Sequence, residues 1–316
     1  MKILITGGAG FIGSNVADRY VEDGHDVVVV DDFSSGNKAN LNPKAKVYQV
    51  GIESEELSNV FKKEKPDIVN HHAAHINVRR SVENPVFDAD INVSGSLKLF
   101  QQCVKHNVRK IIFASSGGVA YGEQTEFPAG ENHLLRPLSP YGIAKISVEM
   151  YLYFYAITYG LPYTVLRYAN VYGPRQNPLG EAGVVAIFTN AMLSNEIVTI
   201  NGDGTQTRDY TYVSDVVEAN VLSLTGGNGE IFNIGTGIET DVNLLYERLS
   251  DIVGYDLAVK YGPSMPGEQK RSVIDPAKAG QKMEWKPNVL LDEGISKTVD
   301  WFRKTRNLAV LKIGTK

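Results

Sequence analysis

Two short segments of the chain carry residue types that could do chemistry together. In Tyr141-Gly142-Ile143-Ala144-Lys145 a phenol and an ammonium stand four residues apart. On a helix they share one face, where they can exchange protons with a substrate hydroxyl. In Thr6-Gly7-Gly8-Ala9-Gly10-Phe11-Ile12-Gly13 the glycines are placed to cradle a pyrophosphate. Gly7 allows a tight turn after a strand, Gly10 lets the backbone approach the phosphates, and Gly13 lets a helix pack closely on a sheet. The positive end of that helix then faces the anion. Asp31 follows Gly13 by 18 residues, near the ~20-residue offset at which an acid holds an adenosine ribose. Its carboxylate repels a 2′-phosphate, and no Lys or Arg lies between Asp31 and Lys38, which favours NAD over NADP. Asp32 is more simply a polar strand end leading into Ser34-Ser35-Gly36. Together the two segments predict a nicotinamide-dependent enzyme.

The elements needed to position them are present. Lys2-Ile3-Leu4-Ile5 reads as a first buried strand, Ser14 to Val21 has helical spacing closed by Gly24, and Asp26-Val27-Val28-Val29-Val30 delivers Asp31. Asp67 to Asn70, Lys110 to Ala114 and Tyr163 to Arg167 read as further parallel strands, separated by helices over Asn92 to His106 and Pro140 to Tyr159. The expected fold class is α/β, a Rossmann-type doubly wound parallel sheet with a smaller α/β C-terminal substrate lobe. The texture loosens at Pro174, Pro178, Gly180 and Gly183, before a short strand at Ile197 to Ile200 and a turn at Asn201-Gly202-Asp203-Gly204. We therefore expect an NAD-binding domain over 1–173 and a substrate-binding lobe over 174–316. Return segments around 214–235 rejoin the main sheet through a helix at Ser214 to Thr225 and a strand at Ile231 to Ile234.

Composition narrows the setting. A chain of 316 residues can bury a substantial core, and a net charge of −4 gives no sign of a nucleic-acid partner. The single cysteine, Cys103, rules out an internal disulfide framework and suits a reducing cytoplasm; its expected place is a buried helical position. No apolar stretch approaches the ~20 residues needed to span a bilayer. The first strand begins at the N-terminus, leaving no room for a signal peptide, so a cytoplasmic protein without membrane partners is expected.

Further blocks run through the chain in order. They are Asp31 to Gly36, His72-Ala73-Ala74, Asn92 to Ser96, Ser115 to Gly122, Ser139 to Lys145, Leu166 to Pro174, Gly202 to Tyr210 and Phe232 to Gly235. With the glycine run they resemble the extended short-chain dehydrogenase/reductases, and within these the UDP-glucose 4-epimerases (UDP-galactose 4-epimerases) and their sugar-nucleotide relatives. The resemblance covers nearly the whole chain. It implies that tightly held NAD takes a hydride from C4 of a UDP-hexose, that the 4-keto sugar turns over in the site, and that the hydride returns to its other face.

The resemblance also implies roles. Tyr141 is the acid/base, made more acidic by Lys145 and the positive nicotinamide, from an ordinary ~10 toward operating pH. Lys145 also binds the nicotinamide ribose, Ser116 hydrogen-bonds the same C4 hydroxyl, and Asn92 supports the proton network. The implied cofactor set is Gly7, Gly10, Phe11, Ile12, Gly13, Asp31, Asp32, Ser35, Gly36, Ile52, His72, Ala73, Ala74, Asn92, Ser115, Tyr141, Lys145 and Tyr168. The implied substrate set is Ser116, Gly117, Tyr141, Asn170, Val184, Arg208, Arg271 and Ser272. Asn170 and Arg208 contact the UDP pyrophosphate, although Arg208 and Asp209 could instead form a surface pair. The family pairs two helices from each subunit, and Val148 to Tyr155 is too apolar and aromatic for a solvated face, so a homodimer is expected.

Several positions depart from the family pattern. Four residues separate Ser116 from Tyr121 where three are usual, which leaves Ser115 as the alternative serine. Met265 replaces a phosphate-binding arginine, leaving Lys270 or Arg271 to supply the charge or the contact missing. Gly51 stands where an acid usually holds adenine. Five residues after Gly267, Ser272 occupies a position that gates the sugar pocket. A small residue there leaves room for an N-acetyl group, unless Met265 and Arg271 refill the space. His71, His72 and His75 lack the cysteine or carboxylate partners of a metal site.

Other readings stay open. A 4,6-dehydratase needs an acid pair after the catalytic serine, where Gly117-Gly118-Val119 has none. A UDP-glucuronate epimerase or decarboxylase needs a cation for a C6 carboxylate, and the loop Arg175 to Leu179 offers Arg175. A non-catalytic nucleotide sensor on the same fold tends to lose the Tyr or Lys kept here.

Overall fold

Short runs of Val, Ile and Leu buried on both faces form a parallel sheet, as strands covered by helices on each side require. In the computed structural model, which describes residues 1–179, 183–264 and 269–313, these strands are β1 (Lys2–Thr6), β2 (Asp26–Asp31), β3 (Lys46–Gln49), β4 (Ile68–His71), β5 (Lys110–Ser116) and β6 (Tyr163–Tyr168). The chain then forms β7 (Asn170–Tyr172), β8 (Thr199–Asn201), β9 (Thr207–Arg208), β10 (Tyr210–Tyr212), β11 (Glu230–Ile234), β12 (Thr240–Asp241), β13 (Lys260–Gly262) and β14 (Arg271–Ser272). The main sheet has the order β11-β6-β5-β4-β1-β2-β3, with each neighbouring pair parallel. The order reverses between β1 and β4, which opens a crevice at their C-terminal ends.

The helices are α1 (Phe11–Glu22), α2 (Leu57–Glu64), α3 (Val78–Glu83), α4 (Pro85–Ala89), α5 (Gly95–Lys105), α6 (Gly117–Ala120), α7 (Pro140–Tyr159), α8 (Val184–Leu193), α9 (Val213–Leu222), α10 (Val242–Val253), α11 (Ala277–Met283) and α12 (Leu291–Ile313). One core gathers Val16, Tyr20, Val216 and Trp285 over one side of the sheet, and another gathers Phe61, Phe100, Cys103 and Leu152 over the other. A third core, built on Phe188, Leu245, Leu249 and Val299, belongs to the C-terminal lobe with its three small sheets.

Two boundaries differ from the sequence reading. The strand placed at Ile197 to Ile200 begins only at Thr199, because the Tyr255 hydroxyl bonds Val198 N and Glu196 O. The helix placed over Asn92 to His106 starts with a π-helical turn, Asp90–Ser94, before α5. After β6, α9 packs on α1, and β11 pairs with β6 in the main sheet.

Candidate active site

Helix α7 starts sharply because Ser139 Oγ accepts a bond from Gly142 N at 3.2 Å and Pro140 takes the first helical position. Tyr141, Lys145 and Glu149 then follow at four-residue intervals on one face. Lys145 Nζ donates to Ala114 O at 2.8 Å and lies 5.6 Å from the Tyr141 ring centroid. Burial lowers the Lys145 amine to about 8, against the pull of Asp88 and Glu149. Burial, reinforced by Asp88, pushes the Tyr141 phenol well above its ordinary value. Among the chain's own groups, burial and Asp88 work against the acidity expected of this phenol. Lys145 is desolvated too and directs its charge at a backbone carbonyl.

The two serines at the end of β5 point to opposite faces. Ser115 is buried and donates to Glu149 Oε1 at 2.5 Å, which corrects its placing against the cofactor and removes it as the alternative catalytic serine. Ser116 is half-buried and faces the crevice. A Cβ added at Gly118 would lie 3.8 Å from Ser116 Oγ and 3.6 Å from Asn170 Oδ1, so both groups border one small space. Gly117 has a packing reason, since a Cβ there would come within 2.8 Å of Ile274 Cδ1.

Behind Ser115, Glu149 pairs with Arg167, which bonds the Tyr121 hydroxyl, itself a donor to Asn233. Sequence reasoning missed this network, although Glu149 continues the four-residue spacing of Tyr141 and Lys145. Asn92 is fully engaged: it accepts from His75 N and donates to His75 O and Asp88 Oδ1.

On the substrate side Arg208 donates to Thr207 O at 2.8 Å. Asp209 turns away into the interior, where its carboxylate accepts from Thr236, Gly237 and Ile274, so the pair is not a surface ion pair. Arg271 is held by Glu239 in a two-pronged bridge and stacks 3.6 Å from the Phe127 ring centroid. The bridge uses Nε and Nη2 and leaves the Nη1 donors to other partners. Ser272 is buried, opposite Arg208 in the β14–β9 register. Val184, half-buried, opens α8. Met265 and Gly267 lie outside the described residues. Arg175 is bonded to Asp18 of α1 at 2.5 Å.

The glycine turn joins β1 to α1 at the crevice. Gly7 has φ 69°, and a Cβ there would meet Ala73 N at 2.6 Å; one on Gly13 would meet Gly7 O at 2.3 Å. Helix α1 opens at Gly10 without a side-chain cap. Asp31 Oδ2 accepts from Ala9 N and Oδ1 from Phe33 N. Gly36 is confined by the same carboxylate, and exposed Asp32 binds Ser34. Across the crevice Ala73 N donates to Thr6 Oγ1. His71 is bonded through both ring nitrogens, to Thr6 and Ser96. The Tyr168 hydroxyl accepts from Asn220 Nδ2, and its ring stacks with His72.

These elements coincide with those of known proteins. Residues 3–235 match the NAD dependent epimerase/dehydratase family. The chain belongs to that family. It is 46% identical, over 95% of its length and 98% of the relative's, to a putative UDP-glucose 4-epimerase of Methanocaldococcus jannaschii. The solved UDP-glucose 4-epimerase of Thermotoga maritima, with UDP-glucose, is 53% identical at a TM-score of 0.95, covering 96% of this chain and 99% of that one. The Thermus thermophilus UDP-glucose 4-epimerase in complex with NAD is 40% identical at a TM-score of 0.91, with coverage of 96% and 99%.

The residues fit the cofactor of the NAD dependent epimerase/dehydratase family. Gly7 and Gly13 leave a bare backbone turn at an uncapped helix start, where pyrophosphate binds. Each Asp31 oxygen keeps a second lone pair for the ribose hydroxyls. His72 Nε2 is a buried polar atom without a partner beside this turn. Ile52 is buried against Gly95 of α5. Beside Gly51 stands a second residue that sequence reasoning missed. The Glu53 carboxylate folds back over Gly51, within 2.3 Å of where a Cβ would stand, so an acid is present where Gly51 itself offers none.

Proposed function

We propose that this protein is an NAD-dependent 4-epimerase of UDP-hexoses that interconverts UDP-glucose and UDP-galactose. The observation that carries the reading is the Tyr141–Lys145 face of α7 docked by Lys145 Nζ on Ala114 O, two residues before Ser116, with Lys145 acting on His72, which borders the glycine turn. NAD, when bound, supplies the hydride acceptor and returns the hydride. Tyr141 takes the C4 hydroxyl proton and gives it back to the other face. Ser116 aligns that hydroxyl, and Lys145 holds the nicotinamide ribose and the local positive charge that phenolate needs. Asn170 and Arg208 hold the pyrophosphate while the 4-keto sugar turns over. Residues 1–173 with the return segment through β11 form the NAD-binding unit, and most of the rest forms the sugar-nucleotide lobe.

Two observations support the choice of sugar. Arg175, the cation that its loop offers a C6 carboxylate, is engaged by Asp18, which disfavours a glucuronate substrate. No carboxylate follows Ser116 in α6 to drive a dehydration. The apolar side chains Met150, Phe154 and Ile157 on α7, with Val82 on α3 and Val86 on α4, are exposed, which supports a homodimer. Among the described residues no helix is long and apolar enough to cross a membrane; with Cys103 buried and free, we assign the work to the cytoplasm.

The test is Tyr141→Phe with UDP-glucose and UDP-galactose, resolving products by chromatography. Turnover falls by about 10²–10⁴ while the purified protein retains NAD. Unimpaired turnover overturns the reading.

A further inference from the structure

Asp88 is a carboxylate that the proposed mechanism leaves unused. It sits on α4, which packs against α7. Only 1% of it is exposed. Oδ1 accepts from Asn92 Nδ2 at 3.0 Å, while Oδ2 is buried without a hydrogen-bond partner. His75 Nδ1, also buried and without such a partner, lies 3.8 Å from Oδ1. Leaving a carboxylate oxygen empty in the interior is costly, and a neutral side chain at 88 could equally receive the Asn92 bond. A purely structural cap therefore does not account for the charge.

The groups around it do. His75 faces Asp88 from the loop after β4, Tyr141 and Lys145 act on or are acted on by it from α7, and Arg80 of α3 lies over the adjacent Phe87 ring at 4.8 Å. Tyr141 is further fixed by its backbone N–H on Ser81 Oγ, and Lys145 faces Ala114 O, the Phe113 ring, Glu149, His71 and His72.

We propose that Asp88 is a positioning residue whose buried charge, held by Asn92 beside His75, acts through Tyr141 and Lys145 to set the pH range over which the pair exchanges the substrate proton. This rests on the epimerase reading above. A negative charge at 88 disfavours phenolate and favours ammonium, so it raises both groups. Its removal lowers both.

Asp88→Asn keeps an acceptor for Asn92 and deletes only the charge. In the NAD-loaded enzyme, both limbs of the kcat/KM profile move to lower pH, by about one unit, the size one neighbouring charge produces. A readout independent of turnover is the ultraviolet phenolate titration of Asp88→Asn minus that of the same variant carrying Tyr141→Phe, compared with the corresponding difference in the parent. Its midpoint moves down as well. If Asp88→Asn fails to fold, Asp88→Ser supplies the neutral side chain. Limbs and phenolate midpoint that stay in place, with only the height of the profile changed, overturn the proposal. Tyr141→Phe remains a separate test of the epimerase reading, so the two can fail independently.

Discussion

Arg167→Met isolates the ion pair behind the two serines that end β5. The guanidinium reaches Glu149 at 2.6 and 3.0 Å, and the two side chains are 2% and 0% exposed. Methionine roughly fills the volume but leaves the Glu149 carboxyl buried and supported by Ser115 alone among these partners. Breaking a buried pair from one side costs about 3–5 kcal/mol, whereas replacing both partners by apolar groups is often neutral. At roughly 2 °C per kcal/mol for a large chain, Tm falls by about 6–10 °C. Adding Glu149→Leu restores most of it. Differential scanning calorimetry of the two variants reads both numbers. Glu149 also ties α7 to Ser115, the residue before Ser116, so kcat falls in Arg167→Met. A Tm loss under about 2 °C, or a double variant as unstable as the single one, refutes the argument that charge rather than packing sets the cost.

Other outcomes follow from single contacts. Gly13→Ala forces a Cβ against Gly7 O at 2.3 Å, a backbone neighbour that cannot swing aside, so the purified variant loses bound NAD; full cofactor retention by absorbance contradicts this. Lys110 is buried and its amine lies at about 8 in the folded chain, below its ordinary 10.5. Between those values the unfolded chain holds the extra proton, so this lysine makes stability rise with pH across that window, and the rise is absent from denaturation curves of Lys110→Met. We also expect the parent to interconvert UDP-GlcNAc and UDP-GalNAc, because Ser272 is small and buried opposite Arg208. Ser272→Tyr removes that activity and spares UDP-galactose, and equal loss of both eliminates the gate.

The sequence by itself determined what depends on local spacing. Val and Ile runs must be buried strands, Gly7 and Gly13 admit no side chain at a phosphate turn, and a four-residue interval puts Tyr141 and Lys145 on one helical face wherever that helix lies. Ser116 and Ser115 could not be separated by spacing alone; strand alternation became decisive only once β5 had a buried side occupied by Glu149. The tertiary structure alone decided which distant groups meet. Glu53 reaches back over Gly51, Glu239 captures Arg271, Asp18 captures Arg175, and β11 joins β6. It also decided the acidity at the site. Desolvation and the reach of a charge depend on burial and distance in space, so the upward push on Tyr141 from its surroundings and Asp88 could not be read from the lysine four residues away.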